Sequence, residues 1–146
     1  MADAITTLEE MSSRYVKSKW RRELHRLTSF TCNYCGRVPS ENIDHITPKH
    51  KGGCEAGHNL IAVCLRCNRS KGHEDFSTWY RRQEFYSERR EQAVLAWMQG
   101  DQSLCIEIGR ETVEALNQKQ VAEAIERWNQ SYVKKGGKQK GSNTIA

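Results

Sequence analysis

The chain reads as an α+β protein in which a small ββα unit is built around a metal and flanked by an N-terminal helix and C-terminal helices. Three observations predict this class. Two C-x-x-C pairs, Cys32/Cys35 and Cys64/Cys67, are separated by 28 residues. The segment between them holds two short apolar runs divided by a loop that contains Pro48, Gly52, Gly53 and Gly57. On either side, apolar residues recur every three to four positions, the spacing of amphipathic helices. A chain of 146 residues has room for a modest core only, so a metal staple adds much to its stability.

Each element follows from its pattern. In Arg14 to Leu27, Tyr15, Val16, Trp20, Leu24 and Leu27 fall near the helical period, and Lys17, Lys19, Arg21, Arg22 and Arg26 lie largely between them. One face packs and the other is cationic, either simply solvated or set against an anionic partner. Thr31 to Gly36 forms the first metal turn. Glu41 to Ile46 is expected as a strand carrying Asp44 and His45 on opposite faces by its period of two. After the loop from Thr47 to Gly57 comes a second strand, Leu60 to Val63, and then a helical stretch containing Asn68 and Lys71.

Further on, Phe76 to Phe85 and Glu88 to Gln99 read as helices, with Ser87 as N-cap and Gly100 as stop. The aromatics Phe76, Trp79, Tyr80, Phe85, Tyr86 and Trp97 suit packing better than base stacking. Leu104, Ile106 and Ile108 alternate as in a short strand, and Gln118 to Tyr132 forms a last helix along Val121, Ile125, Trp128 and Tyr132. The chain divides into an N-terminal arm (1–11), the metal module with its flanking helices (12–90), a mainly helical extension (91–133) and a basic tail (134–146). The tail has too little apolar content to offset the entropy of ordering, so disorder is expected there.

Composition narrows the partners. Residues 12–90 hold 16 Lys and Arg against 8 Asp and Glu, so the basic excess lies with the cysteine module and suits a phosphate backbone. Of six cysteines, four are paired in C-x-x-C and leave Cys54 and Cys105 unmatched, which is how a reducing compartment uses thiols for metal rather than for disulfides. No apolar run approaches the roughly 18 residues of a membrane span, and Met1-Ala2-Asp3-Ala4 lacks a secretory pattern. An intracellular, cytoplasmic protein is expected. Cys32, Cys35, Cys64 and Cys67 make a tetrathiolate set for zinc, and four protein ligands leave no open position, so this zinc is structural. The gap between the pairs exceeds the ~15 to 20 residues of a simple ribbon, and the insert calls for its own explanation.

The insert carries a resemblance. Cys32-Asn33-Tyr34-Cys35-Gly36, Ile43-Asp44-His45-Ile46-Thr47-Pro48, Lys51-Gly52-Gly53, Asn59-Leu60 and Cys64-Leu65-Arg66-Cys67-Asn68-Arg69-Ser70-Lys71 together resemble an HNH endonuclease of the zinc-containing type. The resemblance covers about residues 31–72 and implies the ββα-metal fold and DNA cleavage leaving a 5′ phosphate. It implies a catalytic divalent ion, Mg2+ or Mn2+, held by Asp44 and Asn68. His45 becomes the general base on water, and Asn59 orders the loop and orients that His. Asn68 stands where many members have His, which makes this an H-N-N variant. Arg66, Arg69, Lys71, Lys49 and Lys51 are placed to meet DNA phosphates. His50, His58 and His73 fill no family position, and His50 is the reserve base.

Physical chemistry supports this division of labour. A phosphodiester repels hydroxide, so its hydrolysis gains from a cation that binds its oxygens while keeping sites for water. Two protein oxygens suffice for Mg2+, which typically retains several waters. The reading from another class is a zinc-dependent nucleic-acid-binding or adaptor module without catalysis. It accounts for the thiolates and the charge, but not for a carboxylate beside an anionic ligand.

Overall fold

The structure is a computed structural model that describes residues 14–136; the N-terminal arm and tail residues 137–146 lie outside the described residues. Helix α1, Arg14–Leu27, is the one the periodicity predicts. His25 and Arg26 in its last turn suit the negative end of its dipole. The helix closes with Phe30 N–H donating to the His25 carbonyl (2.8 Å), while Ser29 and Phe30 both adopt φ of 59°. That reversal turns the chain straight into the first cysteine pair.

Strands β1, Asn42–His45, and β2, Leu60–Val63, form one antiparallel hairpin in which Asp44 is opposite Ile61 and His45 opposite Leu60. β1 is shorter than expected by one residue at each end. All four residues of β2 are buried, so the strand shows no alternation. The loop between the strands contains two 3-10 turns, Lys49–Lys51 and Gly57–Asn59. Helix α2, Leu65–Lys71, completes the ββα unit, and Cys64 is its N-cap. An isolated hairpin of this size is marginal in water, so its stability must come from what covers it.

The cover is aromatic and helical. Helix α3, Phe76–Tyr80, starts at Asp75, whose carboxylate accepts from the Thr78 backbone N–H (3.1 Å). It ends well before Phe85, where the helix was expected to stop. Successive turns between Trp79 and Tyr86 fold the chain back and bring the Phe85 ring within 6.1 Å of Trp79 and 6.0 Å of Tyr80. Phe76, Trp79 and Tyr80 are buried around Tyr34, which confirms packing as their role.

Helix α4, Glu88–Met98, is capped by the Ser87 hydroxyl, and Trp97 Nε1 donates to the carbonyls of Gly57 and Leu60 (3.1 Å each). The helix thereby grips one end of the hairpin. The domain division drawn after residue 90 falls inside α4, whose Ala93, Val94 and Trp97 share one buried cluster with Cys32 and Cys64. Arg90 bridges further, donating to the Cys32 carbonyl (3.3 Å) and to Thr112 (3.0 Å).

The expected strand at Leu104 to Ile108 is instead helix α5, Ser103–Glu114. Cys105, Ile108 and Gly109 make its buried stripe at helical spacing, and three alternating residues were too few to outweigh it. At Gly109 the helix lies on the Thr28 carbonyl, so closely that an added Cβ would come within 2.5 Å of the oxygen. Helix α6, Gln118–Gly136, runs past Tyr132 into the first residues assigned to the tail. It docks through Trp128, whose ring meets His25 and Phe30 at 4.9 and 5.0 Å. Among the described residues, no helix is long and apolar enough to cross a membrane.

Candidate active site

The four predicted thiols converge. The Sγ atoms of Cys32, Cys35, Cys64 and Cys67 all lie within 4.8 Å of one another, and Cys35 and Cys64 are 3.8 Å apart. A tetrahedron with Zn–S bonds near ~2.3 Å has edges of about 3.8 Å, so the donor set fits zinc. Backbone N–H groups of Tyr34 and Cys35 donate to Cys32 Sγ, that of Arg37 to Cys35 and that of Cys67 to Cys64, each at 3.4 Å. Such donors suit thiolates. Burial pushes the Cys32 thiol well up, whereas the hydrogen bond with Cys32 pulls Cys35 and Cys64 down. Four sulfurs this close cannot all ionise without a cation among them. Cys105 is not among the converging thiols, and burial raises its thiol to about 12, as suits an inert core residue. Cys54 is exposed.

The hairpin delivers the second group. Asp44 is buried, and its Oδ2 accepts from both the Tyr34 hydroxyl (2.7 Å) and Lys71 Nζ (3.0 Å). Lys71 Nζ also donates to the His45 carbonyl (3.1 Å). Both protein partners thus share one oxygen of Asp44, and Oδ1 has no hydrogen-bond partner among the described residues. Asn68 is half-buried and precedes Lys71 on α2 by three residues, and no hydrogen bond joins it to Asp44. One carboxylate and one amide oxygen are hard donors of the kind that suit Mg2+ or Mn2+ rather than a softer ion.

His45, on the other side of the strand from Asp44, is partly exposed, and its Nε2 lies 3.1 Å from Glu55 Oε2. Lys49 Nζ meets the same oxygen at 3.0 Å. Hydrogen bonds from Lys49 first, and then from His45, hold the Glu55 carboxyl below the usual range. Sequence reasoning missed Glu55 and Tyr34. Tyr34 stood inside a metal motif, where only the cysteines drew notice; Glu55 stood in a glycine-rich loop whose path the sequence does not define.

Asn59 is buried and staples the loop. Its Oδ1 accepts from Thr47 N–H (2.8 Å), and its Nδ2 donates to the carbonyls of Thr47 (3.1 Å) and Cys54 (2.9 Å). All three bonds go to backbone and none to His45. Gly53 fits beneath this staple: a Cβ there would come within 1.8 Å of the Thr47 oxygen. Asn59→Ala removes the staple and leaves the backbone groups short of partners, so urea unfolding should show a loss of about 2 to 4 kcal/mol. A loss below about 1 kcal/mol would mean that water replaces the amide without penalty.

Lys49, Lys51, Arg66 and Arg69 are exposed on the 3-10 turn and on α2, as phosphate contacts require. Lys71 differs: it is buried, and its partners are Asp44 and the His45 carbonyl, so the phosphate contact expected of it gives way to an internal ion pair. The reason is helical spacing, because Lys71 follows buried Cys67 by four residues and shares its face. His50 and His73 stack edge to face with centroids 4.7 Å apart, linking the 3-10 turn to the end of α2.

Comparison with known proteins finds likenesses in the segment that carries these side chains. Residues 32–74 match the model of the HNH endonuclease family. The chain is 38% identical over 64 residues to a CRISPR-associated endonuclease Cas9 from Corynebacterium diphtheriae, a match covering 41% of this chain and 6% of that protein. A CRISPR-associated endonuclease Cas9 from Actinomyces naeslundii is 38% identical over 63 residues, covering 40% of this chain and 6% of its own length. The chain thus spans only about 6% of the curated relatives it matches. No solved structure gives a significant match.

Proposed function

We propose that the HNH endonuclease domain at residues 32–74 hydrolyses DNA phosphodiester bonds, with His45 as general base and Asp44 and Asn68 as ligands of a catalytic Mg2+ or Mn2+ ion. The observation that carries the reading is the Asp44 carboxylate, buried in β1 beside His45 with Oδ2 held by Tyr34 and Lys71 and Oδ1 without a hydrogen-bond partner among the described residues. The ion, when bound, would offset phosphate charge and stabilise the departing oxygen.

The protein's own groups divide the remaining work. Glu55 orients His45. An ionised carboxylate only accepts hydrogen bonds, so Nε2 is the donor in that pair and Nδ1 is left to take a proton from water. Asn59 fixes the loop that carries Glu55 and Lys49 against the end of β1. Arg66, Arg69, Lys49 and Lys51 supply exposed cations for the phosphate backbone. The thiolate cluster holds zinc structurally.

One observation favours the rival reading, a zinc-dependent binding or adaptor module without catalysis. Lys71 already gives Asp44 a cationic partner, so the carboxylate has a role in the fold even without a divalent ion. Incubating supercoiled plasmid with the zinc-loaded protein separates the two. Nicking is expected with Mg2+ or Mn2+ and none without added metal. Tight DNA binding with no nicking under any divalent ion would favour the adaptor.

A further inference from the structure

We infer that the two cysteine turns position the hydrolytic carboxylate as well as hold zinc: Tyr34 from the first and Lys71 from the helix begun by the second converge on one oxygen of Asp44. The inference rests on the reading of Asp44 as a ligand of the divalent ion.

Tyr34 lies between two zinc ligands. Its backbone N–H donates to Cys32 Sγ (3.4 Å), and the Gly36 N–H closes the turn on the Cys32 carbonyl (2.8 Å), so the path of Tyr34 is set by the turn around the metal. Its ring is fully buried against Phe76 and Trp79, with centroids at 5.2 and 5.4 Å, and its carbonyl accepts from the Tyr80 hydroxyl (2.6 Å). Held at both ends, the phenol can point only one way. Its hydroxyl meets Asp44 Oδ2 at 2.7 Å.

Lys71 repeats the logic from the other side. Cys64 caps α2 and Cys67 sits in its first turn, so the cluster anchors the start of this short helix. Lys71 lies four residues past Cys67 and extends to the same Asp44 oxygen (3.0 Å) and to the His45 carbonyl (3.1 Å). Both donors therefore come from segments fixed by the four thiolates. Engaging Oδ2 twice fixes the rotation of the carboxylate and leaves Oδ1 without a hydrogen-bond partner among the described residues. Outer partners of this kind typically govern metal affinity by 10 to 100-fold.

Tyr34→Phe isolates the claim, because it keeps the ring and its packing and deletes only the hydroxyl. With full-length, zinc-loaded protein, Mn2+ binding is followed by electron paramagnetic resonance, and the Mg2+ dependence of plasmid nicking is measured beside it. The variant is expected to retain one zinc per chain, to bind Mn2+ about 10-fold more weakly and to regain near wild-type nicking at saturating metal. Tyr86→Phe deletes another hydroxyl of the same aromatic cluster, one that donates to Glu91 and touches neither Tyr34 nor Asp44, and should leave Mn2+ affinity unchanged. Wild-type Mn2+ affinity in Tyr34→Phe, or an equal loss in Tyr86→Phe, would overturn the positioning role. A wild-type protein that neither binds Mn2+ nor nicks DNA would overturn the nuclease reading itself, and this inference with it.

Discussion

Cys67→Ser is expected to unfold the ββα unit rather than weaken it. Zinc ligation contributes roughly 10 to 16 kcal/mol of apparent binding energy in small peptides, whereas whole domains have only about 5 to 15 kcal/mol of net stability. Few domains of this size can lose such a term and stay folded. Here the dependence is heightened by position, since Cys32, Cys64 and Cys67 lie inside the main buried cluster rather than at its edge. The hairpin has only two strands of four residues each, and both cysteine turns hold its open end. Loss of one thiolate leaves three sulfurs packed together with no cation to offset their charge. Zinc content per chain and urea unfolding followed by the fluorescence of buried Trp79 and Trp97 make the test. The variant should bind little zinc and show no cooperative transition, while Cys54→Ser, at an exposed thiol outside the cluster, should match wild type. A cooperative wild-type midpoint in Cys67→Ser would show that the core stands without its metal.

The residues that form this core were legible where chemistry dictates spacing. The thiolate pairs, the D-H strand and Leu60–Val63 fall where the pattern places them, because metal ligation and hairpin pairing leave little freedom. Helix α1 was readable from its two faces. The strand expected at Leu104 to Ile108 was misread because alternation over three residues is also one flank of a helix. The buried Cys105-Ile108-Gly109 stripe includes a glycine, which carries no apolar signal. The buried Lys71 was misread for a different reason. A lysine in a basic segment suggests a surface, and only its four-residue distance from Cys67 marks it as internal. Tyr34 and Glu55 depend on tertiary contacts across 10 residues of chain each, to Asp44 and His45, and local pattern carries no trace of such pairings. The acidic partner of a base in a loop is decided by how that loop folds, which here depends on the Asn59 staple.

His45→Ala is the substitution in which chemistry and fold separate most cleanly. The imidazole is partly exposed at the end of β1, and the structural bond at this residue, from Lys71, goes to the backbone carbonyl, which alanine retains. Glu55 keeps Lys49 as a partner when the ring is gone. Stability should therefore change by no more than about 1 kcal/mol, as for most surface positions. Zinc content and DNA affinity should stay at wild-type levels, because the thiolates and the exposed cations are untouched. Nicking, by contrast, should lose the proton acceptor that the proposed mechanism assigns to His45. General base catalysis is typically worth 10² to 10⁴-fold in rate, about 3 to 5 kcal/mol of barrier, and single-turnover nicking at saturating Mg2+ should fall by that factor. The measurement compares rates at matched zinc content and matched DNA occupancy, so a folding defect cannot pass for a chemical one. If His45→Ala nicks at the wild-type rate, the proton leaves water by another route. His50 is then the next side chain to test, because its ring already lies against His73 at the end of α2.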